Sequence, residues 1–205
     1  MRDMADILSA SRVIPVVTID DVANAVPMAR AIRDGGLKVI EVVLRTPAAL
    51  VSLAAIAREV PELILGAGTV LNVNDLEACF TAGATLAISP GGTAALLTTA
   101  RGKRLPLLPA IATASEIMKG LELGYQHFKF FPATSLGIET LRHFRGPFPD
   151  VRFCATGGIT RDNAKEFLAQ PNVMAVGASW VTPAAAVAKC DWPAIRANAE
   201  FAASL

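Results

Sequence analysis

One lysine of this chain lies in a segment that is otherwise aromatic and apolar. Lys129 is the third residue of HFKFFP, residues 127–132, which has the composition of a short buried strand. Removing a lysine from water disfavours its charged form, and a neutral amine is a nucleophile toward a carbonyl carbon. The segment therefore predicts either a catalytic lysine that forms a Schiff base or a structural lysine paired with a carboxylate.

Two further charged residues are expected to face the same interior. Side chains alternate between the two faces of a strand, and in residues 38–45 one face is purely apolar while the other holds Glu41 and Arg45. The apolar face suits a covering layer of helices, so we expect Glu41 and Arg45 to point inward with Lys129. Charged groups are rarely buried without a partner, so the three either form an interior salt-bridge cluster or bind a ligand.

Glycines end three of the predicted strands at positions where a ligand could approach the backbone. They lie in GAGT, TGG and GAS, at residues 66–69, 156–158 and 177–179. The absence of a side chain allows close approach, and backbone N–H groups in such loops bind phosphate. We therefore expect a phosphate site at the latter two segments and a hydroxyl from Thr69 at the rim beside the first. A simple turn is the structural alternative for each segment.

The elements that must position these residues alternate regularly along the chain. Eight β-branched runs, roughly 20–25 residues apart, alternate with Ala- and Leu-rich stretches, several of which begin at capping residues or end at glycine. The predicted strands are residues 13–19, 38–44, 63–68, 86–89, 105–111, 127–131, 151–156 and 173–177. The predicted helices are residues 21–34, 47–60, 74–82, 93–100, 114–123, 138–144, 161–170 and 193–203.

Eight such units predict an α/β fold of the (β/α)8 TIM-barrel class. We expect a single barrel domain over residues 1–205, with a short helix at Met4–Ala10 before the first strand. A doubly wound open sheet is the alternative, but it should carry a glycine fingerprint after the first strand, which residues 19–22 lack. Active sites of barrels lie at the carboxyl ends of the strands, where Arg45 and Phe131 are predicted.

The composition argues against several classes of function. A net charge of +1 without a basic stripe does not favour nucleic-acid binding, and no apolar stretch reaches the roughly 20 residues of a membrane span. His127 and His143 lack the partners of a metal site, and no dinucleotide-binding motif is present. Cys79, Cys154 and Cys190, an odd number without CxxC spacing, are predicted to be reduced core thiols of a cytoplasmic protein.

Five segments in order resemble one family of bacterial enzymes, over nearly the whole chain from about residue 13 to about residue 183. They are EVVLRT, GAGTVL, ISPG, FKFFPA and RFCATGGI, at residues 41–46, 66–71, 88–91, 128–133 and 152–159. The chain resembles the 2-keto-3-deoxy-6-phosphogluconate (KDPG) aldolases, which also act as 4-hydroxy-2-oxoglutarate (KHG) aldolases. The resemblance implies a class I aldolase, a lyase, on a (β/α)8 barrel. It would cleave KDPG reversibly to pyruvate and glyceraldehyde 3-phosphate in the Entner–Doudoroff pathway, and KHG to pyruvate and glyoxylate.

The resemblance also implies roles for individual residues. Lys129 corresponds to the Schiff-base lysine and Glu41 to the carboxylate that shuttles protons. Substrate-binding positions correspond to Arg45, Thr69, Pro90, Phe131 and Thr156, and phosphate-binding positions to Gly157, Gly158 and Ser179. By the same resemblance the enzyme needs no metal or other cofactor. It binds a small-molecule substrate but no nucleic acid or membrane, and it forms a homotrimer.

Two strand-end segments depart from the pattern of this family, and several alternatives stay open. Residues 134–138 read TSLGI where relatives usually carry a more acidic or glycine-rich loop, and residues 109–113 carry alanines where glycine and serine are common. These changes bear on substrate preference. Two alternatives for the main substrate are therefore the galactonate-derived epimer of KDPG and, separately, KHG. A phosphosugar isomerase or epimerase on the same barrel and a non-catalytic sugar-phosphate sensor are further alternatives.

Overall fold

The computed structural model describes residues 3–205 and contains a closed barrel of eight parallel strands. The strands are β1 (Val13–Val17), β2 (Val39–Val43), β3 (Ile64–Gly68), β4 (Leu86–Ser89), β5 (Leu107–Ile111), β6 (His127–Phe130), β7 (Arg152–Thr156) and β8 (Val173–Ala178). Each strand pairs with its neighbours in sequence, and β8 pairs with β1. This closed order confirms the predicted (β/α)8 barrel and rules out the doubly wound open sheet.

Helices connect the strands and cover the outside of the barrel. They are α1 (Met4–Ala10), α2 (Ala25–Asp34), α3 (Ala49–Glu59), α4 (Val73–Thr81), α5 (Ala94–Gly102), α6 (Ala114–Glu122), α7 (Ala133–Leu136), α8 (Ile138–Phe144), α9 (Ala164–Leu168), α10 (Ala184–Ala188) and α11 (Trp192–Ala203). A 3-10 turn, Val22–Asn24, precedes α2. Helix α1 comes before the first strand, as predicted.

Strand alternation separates the apolar core into two layers. The outer layer lies between the strands and the helices, and Phe128, Phe130 and Phe153 belong to it. The inner layer fills the amino-terminal part of the barrel with inward side chains of the strands, and Ile7 and Leu8 of α1 complete it. The lumen at the carboxyl-terminal end is thereby built on an apolar floor.

The inward direction of Lys129 follows from the packing of its neighbours. The ring centroid of Phe130 lies 6.3 Å from that of Phe144 on α8 and 6.1 Å from that of Phe153 on β7. Edge contacts between aromatic rings at such distances are favourable, and they hold β6 against the helix layer. Since Phe128 and Phe130 point outward, as predicted, Lys129 between them points into the barrel.

Several helices differ from the prediction, either in their extents or because no helix was predicted there. The helix predicted at residues 161–170 begins at Ala164, because Thr160 and Asn163 exchange hydrogen bonds in a capping turn before it. The segment after Phe131, expected to be a loop, contains the short helix α7. Helix α10 was not predicted, since its five residues are too few to show a helical repeat.

The prediction that all three cysteines are core thiols is wrong for Cys190. Cys79 and Cys154 are buried, but Cys190 is exposed. It lies between α10 and α11 with a φ of 52°, in a turn that runs over the surface. The sequence offers no apolar periodicity there that could separate a turn from a buried helix.

Candidate active site

A buried ion pair spans the lumen of the barrel. Lys129 Nζ donates a hydrogen bond to Glu41 Oε1 at 3.1 Å, and the two side chains are 7% and 3% exposed. Glu41 is on β2 and Lys129 on β6, four strands apart in a closed ring of eight, so the side chains meet across the barrel. The predicted common interior of Glu41 and Lys129 is therefore observed.

Small residues on the neighbouring strands make room for this pair. A Cβ atom at Gly68 of β3 would collide with the carboxylate of Glu41. The residues beside Lys129 in the ladder are Ala110 of β5 and Cys154 of β7, both small. A polar chamber thus lies directly above the apolar floor, because bulky inward side chains stop at that level.

Arg45 does not join the pair, although the alternation of its strand predicts that it faces the same interior. It is exposed at the carboxyl end of β2, and its Nε donates a hydrogen bond to Thr69 Oγ1 at 2.9 Å. Thr69 directly follows β3 and has a φ of 59°, a left-handed conformation that is rare for a threonine. The two side chains form one polar edge at the rim, with the guanidinium still able to bind a ligand.

Phe131, Pro90 and Thr156 lie at the same end of the barrel. The ammonium of Lys129 is 5.6 Å from the centre of the Phe131 ring. Pro90 is half-buried and directly follows β4. Thr156 is buried on β7, two residues after Cys154, and a Cβ atom at Gly177 of β8 would collide with its hydroxyl. The predicted substrate-binding residues are thus all at the carboxyl ends of their strands.

The predicted phosphate-binding residues lie on the loops after β7 and β8. Gly157 and Gly158 have φ values of 100° and 75°, which side chains rarely allow. Thr156 is paired with Gly177 in the ladder, so Gly158 and Ser179 each follow that pair by two residues on adjoining strands. Ser179 is exposed. Backbone amides and one hydroxyl are thereby available at one corner of the rim.

Cys154 is buried near the ion pair. Burial raises the pKa of its thiol to about 12, with the charges of Lys129 and Glu41 acting in opposite directions. Its Sγ lies 3.8 Å from Thr156 Oγ1. The thiol of Cys154 therefore stays protonated at neutral pH.

A cavity of about 460 Å³ opens at the opposite, amino-terminal end of the barrel. Arg101, Tyr125 and His127 are among the residues that line it. Burial lowers the pKa of His127. The positive charge of Arg152 lowers it further, and the negative charge of Asp3 raises it. His127 shares its face of β6 with Lys129 by strand alternation, and it is the first residue of that strand, on the amino-terminal side of the ion pair.

Two kinds of feature are absent from residues 3–205. No helix in this part of the chain is long and apolar enough to cross a membrane. The same residues include no group of three or more His, Cys, Asp and Glu side chains placed to hold a metal ion.

Comparison with known proteins places this geometry in a family. The sequence model of the KDPG and KHG aldolase family matches residues 4–198. The chain is 49% identical to the 2-dehydro-3-deoxy-phosphogluconate aldolase of Pseudoalteromonas atlantica, covering 93% of this chain and 89% of that one. It is 47% identical to the KHG/KDPG aldolase of Escherichia coli, covering 92% and 89%.

A solved structure agrees with the fold over almost its whole length. It is the KDPG aldolase of Legionella pneumophila with pyruvate captured at low pH as a covalent carbinolamine intermediate. The TM-score is 0.97 at 41% sequence identity, and the match covers 98% of both chains. A carbinolamine is the adduct of an amine with a ketone, which is the first intermediate that a nucleophilic lysine would form.

Proposed function

The chain belongs to the family of KDPG and KHG aldolases, and we propose that it cleaves KDPG reversibly to pyruvate and glyceraldehyde 3-phosphate. Cleavage of KHG to pyruvate and glyoxylate is the second reaction of the same site. The observation that carries the proposal is the buried contact between Lys129 and Glu41 at 3.1 Å. It brings a nucleophile and a proton acceptor together in a chamber shielded from water.

The reaction begins at the C2 ketone of the substrate. Lys129 gives one ammonium proton to Glu41, and its free lone pair then attacks C2. The ketone oxygen becomes the hydroxyl of a carbinolamine by taking a proton, and the nitrogen loses one. Glu41 then protonates this hydroxyl, which leaves as water, and the nitrogen becomes an iminium. The carboxylate thus returns to its original state for the next step.

The iminium is the electron sink for breaking the bond between C3 and C4. Glu41, directly or through a water molecule, removes the proton of the C4 hydroxyl. The C3–C4 bonding electrons then move to the iminium, which releases the aldehyde and leaves an enamine. Protonation at C3 and addition of water release pyruvate and regenerate Lys129. Because the iminium accepts the electrons, the proposed mechanism uses no metal or other cofactor.

The residues at the rim suit the two ends of the substrate. We assign the carboxylate of the pyruvyl part to Arg45 and Thr69, since a guanidinium binds a carboxylate with two parallel hydrogen bonds. Phe131 and Pro90 supply apolar walls, and Thr156 supplies a hydroxyl toward the substrate chain. The phosphate is assigned to Gly157, Gly158 and Ser179.

Trapping the imine is the decisive experiment. Incubation with pyruvate and sodium borohydride should leave a single reduced pyruvyl adduct on the Lys129 peptide, detected by mass spectrometry. Lys129→Met should give no adduct, with its folding checked by circular dichroism. Glu41→Gln should still give the adduct but lose about 10²- to 10⁴-fold in turnover of KDPG, the usual contribution of a general acid–base. No adduct on folded wild type would favour an isomerase or a sensor instead.

We also assign a homotrimer and a cytoplasmic location to the chain, as a single domain over residues 1–205. Large apolar side chains on the surface suit an interface between subunits, and five are at least 36% exposed: Leu50, Val51, Leu71, Met118 and Leu121. Thiols such as the three free cysteines stay reduced in the cytoplasm. A monomer in light scattering, or export of the protein in cell fractionation, would contradict these assignments.

A further inference from the structure

The carbonyl of Gly157 is held by a residue from a different βα unit. Thr134 donates to Gly157 O twice, from its backbone nitrogen at 3.1 Å and from its Oγ1 at 3.2 Å. Thr134 belongs to α7, the helical turn just after the strand that carries Lys129. The two loops that leave β6 and β7 are therefore joined by one residue, through both its backbone and its side chain.

The next carbonyl is held from the other side. Asn163 Nδ2 donates to Gly158 O at 3.1 Å. The side chain of Asn163 is itself fixed, because its Oδ1 accepts a hydrogen bond from the amide of Thr160 at 2.8 Å. Two successive peptide groups of the loop after β7 thus have their oxygens anchored by donors.

Anchoring these oxygens determines where the amides point. In a trans peptide the C=O and N–H bonds are antiparallel, so fixing Gly157 O and Gly158 O directs the N–H groups of Gly158 and Ile159 to the opposite side. Among the hydrogen bonds of residues 3–205, none is donated by either amide. Successive free N–H groups in a turn of this kind form an anion-binding concavity.

Thr134 also packs closely against the loop, in addition to its hydrogen bonds. A Cβ atom at Gly158 would collide with the side chain of Thr134, which therefore packs directly over that glycine. Both glycines adopt positive φ, but glycine populates positive and negative φ about equally, so its own preference does not fix the loop. An external support is needed to keep the amides in one direction.

We infer that Thr134 is a positioning residue for phosphorylated substrates, because its hydroxyl fixes the Gly157–Gly158 peptide with the amides toward the phosphate. The inference depends on the phosphate site of the proposed function. It also connects the substrate preference of the enzyme to the segment at residues 134–138, whose sequence is unlike that expected for the family. Thr134 touches no reacting atom and acts only through the loop.

The test compares KDPG with its unphosphorylated analogue, 2-keto-3-deoxygluconate. Thr134→Val keeps the shape and the backbone hydrogen bond but removes the hydroxyl. It should raise the KM for KDPG about 2- to 10-fold, the range of one net hydrogen bond. The kcat for KDPG and the kcat/KM for the analogue should stay within twofold of wild type. Thr134→Ser, which keeps the hydroxyl, should restore the KM, and Ser135→Ala, at the exposed neighbour, serves as the matched control.

The possible failures separate the inference from the function on which it depends. If wild type has the same kcat/KM for KDPG and for the unphosphorylated analogue, the phosphate site of the proposed function is wrong and the inference is wrong with it. If wild type prefers KDPG but Thr134→Val is unchanged, or loses equally on both substrates, only the role of Thr134 is overturned. Failure of Thr134→Ser to restore the KM would likewise overturn it.

Discussion

Glu41 and Lys129 are the only charged residues buried within residues 3–205. Burying two charges costs several kcal/mol of desolvation for each ion, and their attraction often does no more than offset that cost. A purely apolar lumen would serve stability equally well, and the inner layer beneath the pair has that composition. The buried pair therefore indicates a function that needs both groups, in agreement with the aldolase mechanism proposed for them.

The buried thiols predict a selective chemical reactivity. Burial raises the pKa of both Cys79 and Cys154 to about 12, so neither forms the reactive thiolate at pH 8. Cys190 is exposed. We expect Ellman's reagent to modify one thiol quickly in the folded protein and two more only after denaturation, with Cys190→Ser losing the fast phase. Rapid modification of Cys154 in native protein would contradict this prediction.

Among the secondary-structure elements, six of the eight strands bring candidate functional residues to the interior or the carboxyl-terminal rim of the barrel, and glycines determine how closely the elements pack. Glu41 and Arg45 come with β2, Lys129 and Phe131 with β6, and Thr156 with β7. Alternation along each strand then determines which face these residues occupy. These assignments were predictable from sequence because period-two patterning is a local property.

Gly120 provides a test of the packing between α6 and β6. A Cβ atom there would lie 2.5 Å from Cζ of Phe128, too close for a normal contact. Gly120→Ala should lower the free energy of unfolding by about 1–3 kcal/mol through overpacking, although alanine is otherwise the better helix former by about 1 kcal/mol. Urea unfolding measures the change.

The matched control is Gly102→Ala at the end of α5. No heavy atom lies within 4 Å of a Cβ atom built there. This variant should be unchanged or slightly more stable, because only helix propensity acts. Equal destabilisation of the two variants would show that space around Gly120 is not the cause.

In the molecule as a whole, the two ends of the barrel differ in composition: one is apolar and the other contains the polar pair and the glycine loops. Ile7 and Leu8 of α1 pack with the apolar inner layer near the amino-terminal end, where His127 also lies. The polar pair and the glycine loops occupy the other end. This division matches barrels in general, in which the amino-terminal side serves stability and the carboxyl-terminal side carries the site.

The amino-terminal end should make stability depend on pH through His127. Burial lowers the pKa of His127 in the folded protein below its usual 6.5. As the pH falls through that value, the unfolded chain binds a proton that the folded protein resists, so the free energy of unfolding decreases. His127→Gln should therefore lose less stability than wild type between pH 7.5 and pH 5.5.

Urea unfolding at the two pH values measures this difference. His143→Gln is the control, because His143 is exposed on α8 and its replacement should leave the pH dependence of wild type. If His127→Gln and wild type lose equal stability, burial of His127 does not affect folding in this pH range.

The order of the elements, the faces of the strands and the candidate residues Lys129, Glu41 and Arg45 were predictable from the amino-acid sequence alone. Hydrophobic periodicity, helix caps and glycines are local signals, so they can be recognised in the sequence without the tertiary structure. The ordered segments that resemble the KDPG aldolases were sufficient to predict the family, which the comparisons confirmed.

Which of those residues contact one another could not be predicted without the folded barrel. Closure of β8 on β1 sets Glu41 opposite Lys129 and leaves Arg45 with Thr69, although all three were expected to face one interior. It also brings Thr134 onto the loop of Gly157, a contact without any pattern in sequence. The physical reason is that distances across a barrel depend on strand number, tilt and stagger, which belong to the closed sheet and not to any one segment.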